Sequence, residues 1–157
     1  MLYTSYFAMI KNMPANAMPV SISRFPPKWF EGKCVKNLAP SERLLLDYKH
    51  TPNYPLDKYE RRYRDEILDH HVTEAWIKKG TEGICPNTLD GKPVWESETD
   101  HVVFCCFEKT GDFCHRNILA EHLRDIGIPC REATKEDFEQ WKLKRDLFKE
   151  VLEAERE

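Results

Sequence analysis

The sequence predicts an α/β fold, a single domain built on a largely parallel, Rossmann-like sheet flanked by helices, and three observations carry that expectation. His101 to Phe107 (HVVFCCF) is an unbroken run of β-branched, aromatic and sulfur side chains, as a strand buried on both faces requires. After a polar loop, Glu108 to Asp112, the residues Ile118, Leu119, His122, Leu123 and Ile126 recur at helical spacing, and Gly127 stands where a left-handed cap ends a helix. Leu2 to Tyr6 (LYTSY) reads as a further buried strand. Strand, loop and helix form the repeating unit of such sheets, whose ligands bind at the carboxyl ends of the strands.

The chain of 157 residues is long enough for one core. The expected division is an α/β domain over 1–133 and a C-terminal helical extension over 134–157 that packs on it. With 32% charged and 41% hydrophobic residues the composition is globular, and a net charge of -3 gives no general attraction to nucleic acid. No apolar run approaches the roughly 20 residues of a membrane helix, and the start of the chain lacks the pattern of a secretory signal. A cytoplasmic protein whose six cysteines are reduced thiols is therefore expected.

In chain order, Phe7 to Met13 forms a short helix that Pro14 interrupts, and Pro19 to Ser23 alternates toward a second strand. Arg24-Phe25-Pro26-Pro27 continues neither element, because proline offers no N–H, so Ser5, Ser23 and Arg24 are candidates for a rim around strand ends. Lys28 to Pro40 is irregular, pinned by Trp29, Phe30 and Leu38. Ser41 caps a helix through Leu44, Leu45 and Tyr48. Asp57 and Glu60 suggest a capping box for the next helix, where Tyr59, Tyr63 and Ile67 form a packing stripe and Arg61, Arg62 and Arg64 a solvated, ion-paired face. His71 to Lys79 is a helix that Gly80 ends. The turn-rich stretch Thr81 to Asp100 reads as a lid, with a surface excursion anchored by Val94 and Trp95 as the alternative. Ile128 to Arg131 is a strand, making the preceding helix a crossover between parallel neighbours. Thr134 and Asp137 open the last helix, with Phe138, Trp141, Phe148 and Leu152 as its apolar stripe.

The segment FCCFEKTGDFCHRNILAEHL resembles the signature of the domain of unknown function family 488: an apolar strand, Glu-Lys, a short loop, then Cys-His-Arg opening a helix. YTSYFA, SISRFPP, LAP and the spacing of Tyr59 and Tyr63 are similar to the branch of that family that begins with a Thr-Ser-Tyr strand. The resemblance runs from about the first residue to Arg131. It implies a compact α/β domain with Glu108, Cys114, His115 and Arg116 in its site, and no agreed activity. Ile22 stands where many members carry an acidic residue.

Cys114, His115 and Arg116 lie at a helix start, where free N–H groups and the dipole favour anions. A thiol so placed has its pKa lowered and becomes a nucleophile. On that reading Cys114 attacks, His115 or Glu108 moves protons, and Arg116 holds an anionic group; Cys114 then outreacts the other cysteines with iodoacetamide. The other reading turns Cys114 into the core and leaves catalysis to Glu108, or leaves a non-catalytic nucleotide-binding or protein-interaction module. Either way the substrate side of the site comprises Arg116, Lys109, Thr4, Ser5, Tyr6 and Arg24, and an anionic small molecule or nucleotide is the expected partner. Cys105, Cys106, Cys114, His115 and Cys130 lack the pair spacing of common zinc sites, and adjacent Cys105 and Cys106 point to opposite strand faces. Neither metal nor cofactor is expected. His122 is expected to be a satisfied core histidine.

Overall fold

Side chains that alternate along a buried strand must find two separate cores, and the computed structural model, which describes residues 1–157, contains both. Strands β1 (Leu2–Tyr6), β2 (Ala17–Ser21), β3 (Lys33–Cys34), β4 (His101–Cys106) and β5 (Cys130–Glu132) form one sheet in the order β3-β2-β4-β1-β5. All pairings are parallel. β4 is central, with Ser5 and Ser21 on either side of Cys105.

The helices are α1 (Phe7–Ile10), α2 (Glu42–His50), α3 (Leu56–Tyr63), α4 (Asp69–His71), α5 (Glu74–Ile84), α6 (His115–Asp125) and α7 (Lys135–Arg156), with a π-helical turn over Arg64–Leu68 between α3 and α4. Val102, Phe104 and Cys106 join Leu44, Tyr59, Tyr63, Ile77, Leu119 and Leu123 in the larger core. Val103 and Cys105 join Tyr3, Phe7, Phe138 and Trp141 in the smaller one. Each such side chain taken fully out of water contributes about 1.5–3 kcal/mol, so β4, buried at every residue, is the strand the fold can least spare. The parting of Cys105 from Cys106 follows from the strand's twofold alternation.

Local chemistry sets the helix ends. Ser41 accepts from Leu44 N–H, Thr73 accepts from Trp76 N–H, and Thr134 and Asp137 complete a capping box on α7. Gly127, at φ 92, ends α6; its N–H bonds the Arg124 carbonyl and the Ile128 N–H bonds Leu123, the paired bonds of a Schellman cap. His122 is a satisfied core histidine, buried with Nε2 2.7 Å from the Val72 carbonyl. The arginines of α3 and the π turn form ion pairs, Arg62 with Asp47 and Glu66 and Arg64 with Glu60 and Glu121.

Several expectations are corrected. α3 starts at Leu56 after Pro55, with no side-chain cap, so Asp57 lies inside the first turn. α5 passes through Gly80 and Gly83 to Ile84; each glycine costs a helix only about 1 kcal/mol, and Pro86 follows the actual end. β2 begins at Ala17, and Pro19 is tolerated because β3 pairs only with Val20 and Ser21. Gly32 lets the chain pass that point, since a Cβ there would come 2.6 Å from the Pro19 carbonyl oxygen. Trp29, 47% exposed, and Phe30 pack edge-on against buried Phe7, with ring centroids 6.3 and 5.3 Å away, whereas Leu38 is fully buried. β5 pairs with β1, so α6 connects parallel strands that are not neighbours. Within α7, Phe138 and Trp141 are buried but Phe148 and Leu152 are only partly covered.

The stretch after α5 is not a lid. Asp90 accepts from Lys92 N–H, Glu98 N–H and Ser97 Oγ, Asp100 accepts from Leu89 N–H, and Val94 and Ser97 are fully buried. These bonds fasten it at the amino end of β4, the wrong edge for covering a site at the carboxyl end.

His101 lies beneath α7 against Tyr3 and Trp141, with ring centroids 5.5 and 4.4 Å away. Burial, aided by the positive charge at the chain start and by Lys144, depresses its pKa to about 3. The unfolded chain therefore takes up the proton first, so this stability is complete above the unfolded value of about 6.5 and declines as pH falls toward 3. The melting temperature of the wild type is expected to fall more steeply than that of His101→Phe between pH 7 and 4.5; parallel curves would refute the assignment.

Candidate active site

Two chain segments far apart in sequence end side by side at the carboxyl edge of the sheet. β2 ends at Ser21 and delivers Ser23 and Arg24; β4 ends at Cys106 and delivers Phe107 and Glu108. Between them, α2, α3 and the start of α6 enclose a cavity of about 140 Å³. Arg24, Lys49 and Glu108 supply its charges, and Cys114 and His115 are among its lining residues. Tyr48, Tyr59 and Phe113 form an edge-packed aromatic wall, with Tyr59 5.1 Å from each of the other two ring centroids. Burial, with the Glu108 charge adding, raises the Tyr59 phenol well above its ordinary pKa, so that hydroxyl stays protonated. Arg24 donates through Nε to the Pro40 carbonyl at 3.2 Å, which leaves the outer nitrogens of its guanidinium for a ligand.

His115 is buried apart from an edge at the cavity, and Nε2 lies 2.8 Å from the Ile22 carbonyl. A carbonyl only accepts, so Nε2 carries the proton and unprotonated Nδ1 faces Cys114 Sγ at 3.8 Å. Burial first, then the Arg116 charge, lowers the pKa of His115 to about 4. Ile22 thus serves the site through its backbone. Cys114 caps α6 without a side-chain bond, and its sulfur is joined to that of Cys106 in a disulfide, with Cα atoms 7.5 Å apart. The expectation of six reduced thiols is thus corrected for this pair.

Arg116 is not where the sequence reading puts it. Its side chain is 0% exposed, with Nε 2.5 Å from Glu132 Oε1, and Nη1 2.5 Å from the Glu108 carbonyl and 2.9 Å from Cys106 Sγ. It is an internal clamp rather than an anion receptor, because it lies under the loop that would have to admit the anion. Tyr6 stacks near it, its ring centroid 5.8 Å from the guanidinium carbon, and is likewise no part of the cavity. Thr4 and Ser5 are also corrected: both are buried in β1 with unpartnered hydroxyls, and strand alternation sends them to opposite faces. Lys109 is exposed and does not line the cavity. Of the expected residues, the structure brings together Ser23, Arg24, Glu108, Cys114 and His115.

Sequence reasoning missed Lys49, Tyr48, Tyr59 and Phe113 as cavity residues, since a tyrosine on an apolar helix face signals packing. It also missed Glu132 and the pairing of Cys106 with Cys114. The fold and the cavity define a Rossmann-like α/β protein with a small hollow at the carboxyl ends of its strands. Comparison with family models, with curated proteins and with solved structures finds no match.

Two outcomes follow. Removing one partner of a buried ion pair costs about 3–5 kcal/mol, so Arg116→Ala is expected to approach that loss in chemical denaturation. Arg116→Lys should lose part of it, because an ammonium cannot span Glu132, Cys106 and the Glu108 carbonyl together. With iodoacetamide, exposed Cys34 is expected to label first in the unreduced native protein and Cys114 not at all, since Cys105 and Cys130 are buried with pKa values pushed up to about 12. Rapid alkylation of Cys114 would restore the nucleophile reading.

Proposed function

We propose that the protein is an enzyme, a hydrolase or transferase acting on a small anionic molecule of the nucleotide class, with Glu108 as its acid–base group. The observation that carries this reading is the composition of one cavity: the aromatic wall of Tyr48, Tyr59 and Phe113 shares it with Arg24, Lys49 and Glu108. A planar base stacks on aromatic rings, while a phosphate pairs with guanidinium and ammonium groups. Two cations against one carboxylate leave the cavity net positive, and the uncapped amino end of α6 beside it adds N–H donors. Glu108 replaces Cys114 as the reacting group because the Cys114 sulfur is buried and already bonded.

A screen of thermal stabilisation against nucleotides, nucleosides and small phosphates tests the reading, because a ligand that binds the native state raises its melting temperature by mass action. A nucleotide or phosphate is expected to stabilise the wild type, and Arg24→Ala to lose most of that shift while keeping the fold. Glu108→Gln should keep the shift and lose turnover of the ligand so found. Stabilisation unchanged in Arg24→Ala would place the ligand elsewhere.

A second reading, an interaction module without catalysis, draws on one feature of α7: Leu143, Leu147 and Val151 are more than half exposed, at 55, 60 and 54%, and spaced four apart on one helix face. Under that reading Leu147→Glu disrupts association in sedimentation experiments and the cavity ligand is never turned over.

A further inference from the structure

At and behind the wall of the cavity lies a second chemical grouping that the acid–base reading does not use. Cys106, Cys114 and His115 are all buried, and their sulfur atoms and an imidazole nitrogen lie within 4.8 Å of one another. We propose that in the reduced protein these three residues bind a zinc ion whose remaining coordination position opens toward the cavity.

Four features carry the assignment. Two thiolates and an imidazole are the donor set that zinc favours among common cellular metals. A sulfur and a nitrogen that bind one tetrahedral zinc at about 2.3 and 2.0 Å stand roughly 3.6 Å apart, and Cys114 Sγ and His115 Nδ1 are 3.8 Å apart. The outer contacts are those a ligand set needs. The Ile22 carbonyl holds the proton on His115 Nε2 and so keeps the Nδ1 lone pair free, while Arg116 Nη1, 2.9 Å from Cys106 Sγ, compensates thiolate charge. Finally, the Cα atoms of Cys106 and Cys114 are 7.5 Å apart, beyond the span of most disulfides but suited to two sulfurs that meet at a common ion. Cys114 and His115 line the cavity and Cys106 does not, which leaves the open position facing the ligand. Local spacing conceals the set: seven residues separate Cys106 from Cys114, and His115 is adjacent to it.

The chemistry balances. A phosphine reductant converts the disulfide to two thiols and takes an oxygen from water to become the phosphine oxide. Zinc then displaces the two thiol protons to solvent and binds both thiolates and neutral His115. The site deepens the proposed function, since a zinc beside the cavity would polarise a phosphoryl or carbonyl oxygen of the bound anion, and it rests on that reading for its role although not for its existence.

The test is equilibrium dialysis of the phosphine-reduced full chain against zinc, followed by elemental analysis, and the same with cobalt read by its visible spectrum. One zinc per chain, with sulfur-to-cobalt charge-transfer bands in the cobalt form, is expected. Cys106→Ser, Cys114→Ser and His115→Ala should each abolish stoichiometric binding, while Cys34→Ser and Cys85→Ser retain it. Where a ligand variant fails to fold, the wild-type cobalt spectrum decides the question. No zinc retained by the reduced wild type, a cobalt form without sulfur bands, or full binding by the Cys106→Ser, Cys114→Ser double variant would overturn the proposal. Arg24→Ala separates this inference from the proposed function: it should keep the zinc and lose stabilisation by nucleotide.

Discussion

A single buried guanidinium holds the working end of this protein together. Arg116, 0% exposed, reaches from the first turn of α6 to the end of β4, to the backbone of the following loop and to Glu132 at the end of β5. A charge buried that deeply is tolerated only when it is paired and hydrogen-bonded. The three segments are therefore bound to one another through it, and the loop that carries Glu108 is positioned by its own carbonyl. The amino end of α6, Cys114 and His115 take their places from the same anchor.

The cavity beside that anchor draws its charges from separate segments. Arg24 and Lys49 come from the β2 exit and from α2, and Glu108 from the β4 exit, so no single segment contains the site. His115 illustrates how burial assigns roles. With its Nε2 proton committed to Ile22 and its pKa depressed to about 4, it is a neutral base toward the cysteine side and not a cation for an anion. The aromatic wall has a similar double role, since Tyr59 and Tyr48 pack on each other while turning a face to the hollow.

Much of this architecture is legible locally. β4, α6, Gly127 and the capping pairs Ser41 and Thr134 follow from patterns within a few residues, because strand burial, helix periodicity and end caps are short-range effects. Where local signals compete, the reading slips: Gly80 looks like a helix stop, yet α5 continues because Ile77 and Ile84 still pack on the core, and Asp57 looks like a cap although Pro55 already turns the chain.

The sequence by itself determined that the chain is an α/β protein, that β4 is its buried axis, and that Glu108, Cys114 and His115 cluster where β4 passes into α6. Only the tertiary structure decided that Arg116 faces Glu132 rather than a ligand, that Cys106 meets Cys114, that Thr4 and Ser5 are sealed inside, and that Lys49, Tyr48 and Tyr59 complete the cavity. The physical reason is strand order. β1 lies between β4 and β5, which brings Glu132 within reach of Arg116, and β2 lies on the other side of β4, which brings Arg24 to Glu108. Such neighbours arise from pairings between segments distant in sequence, and no pattern within any one segment specifies them.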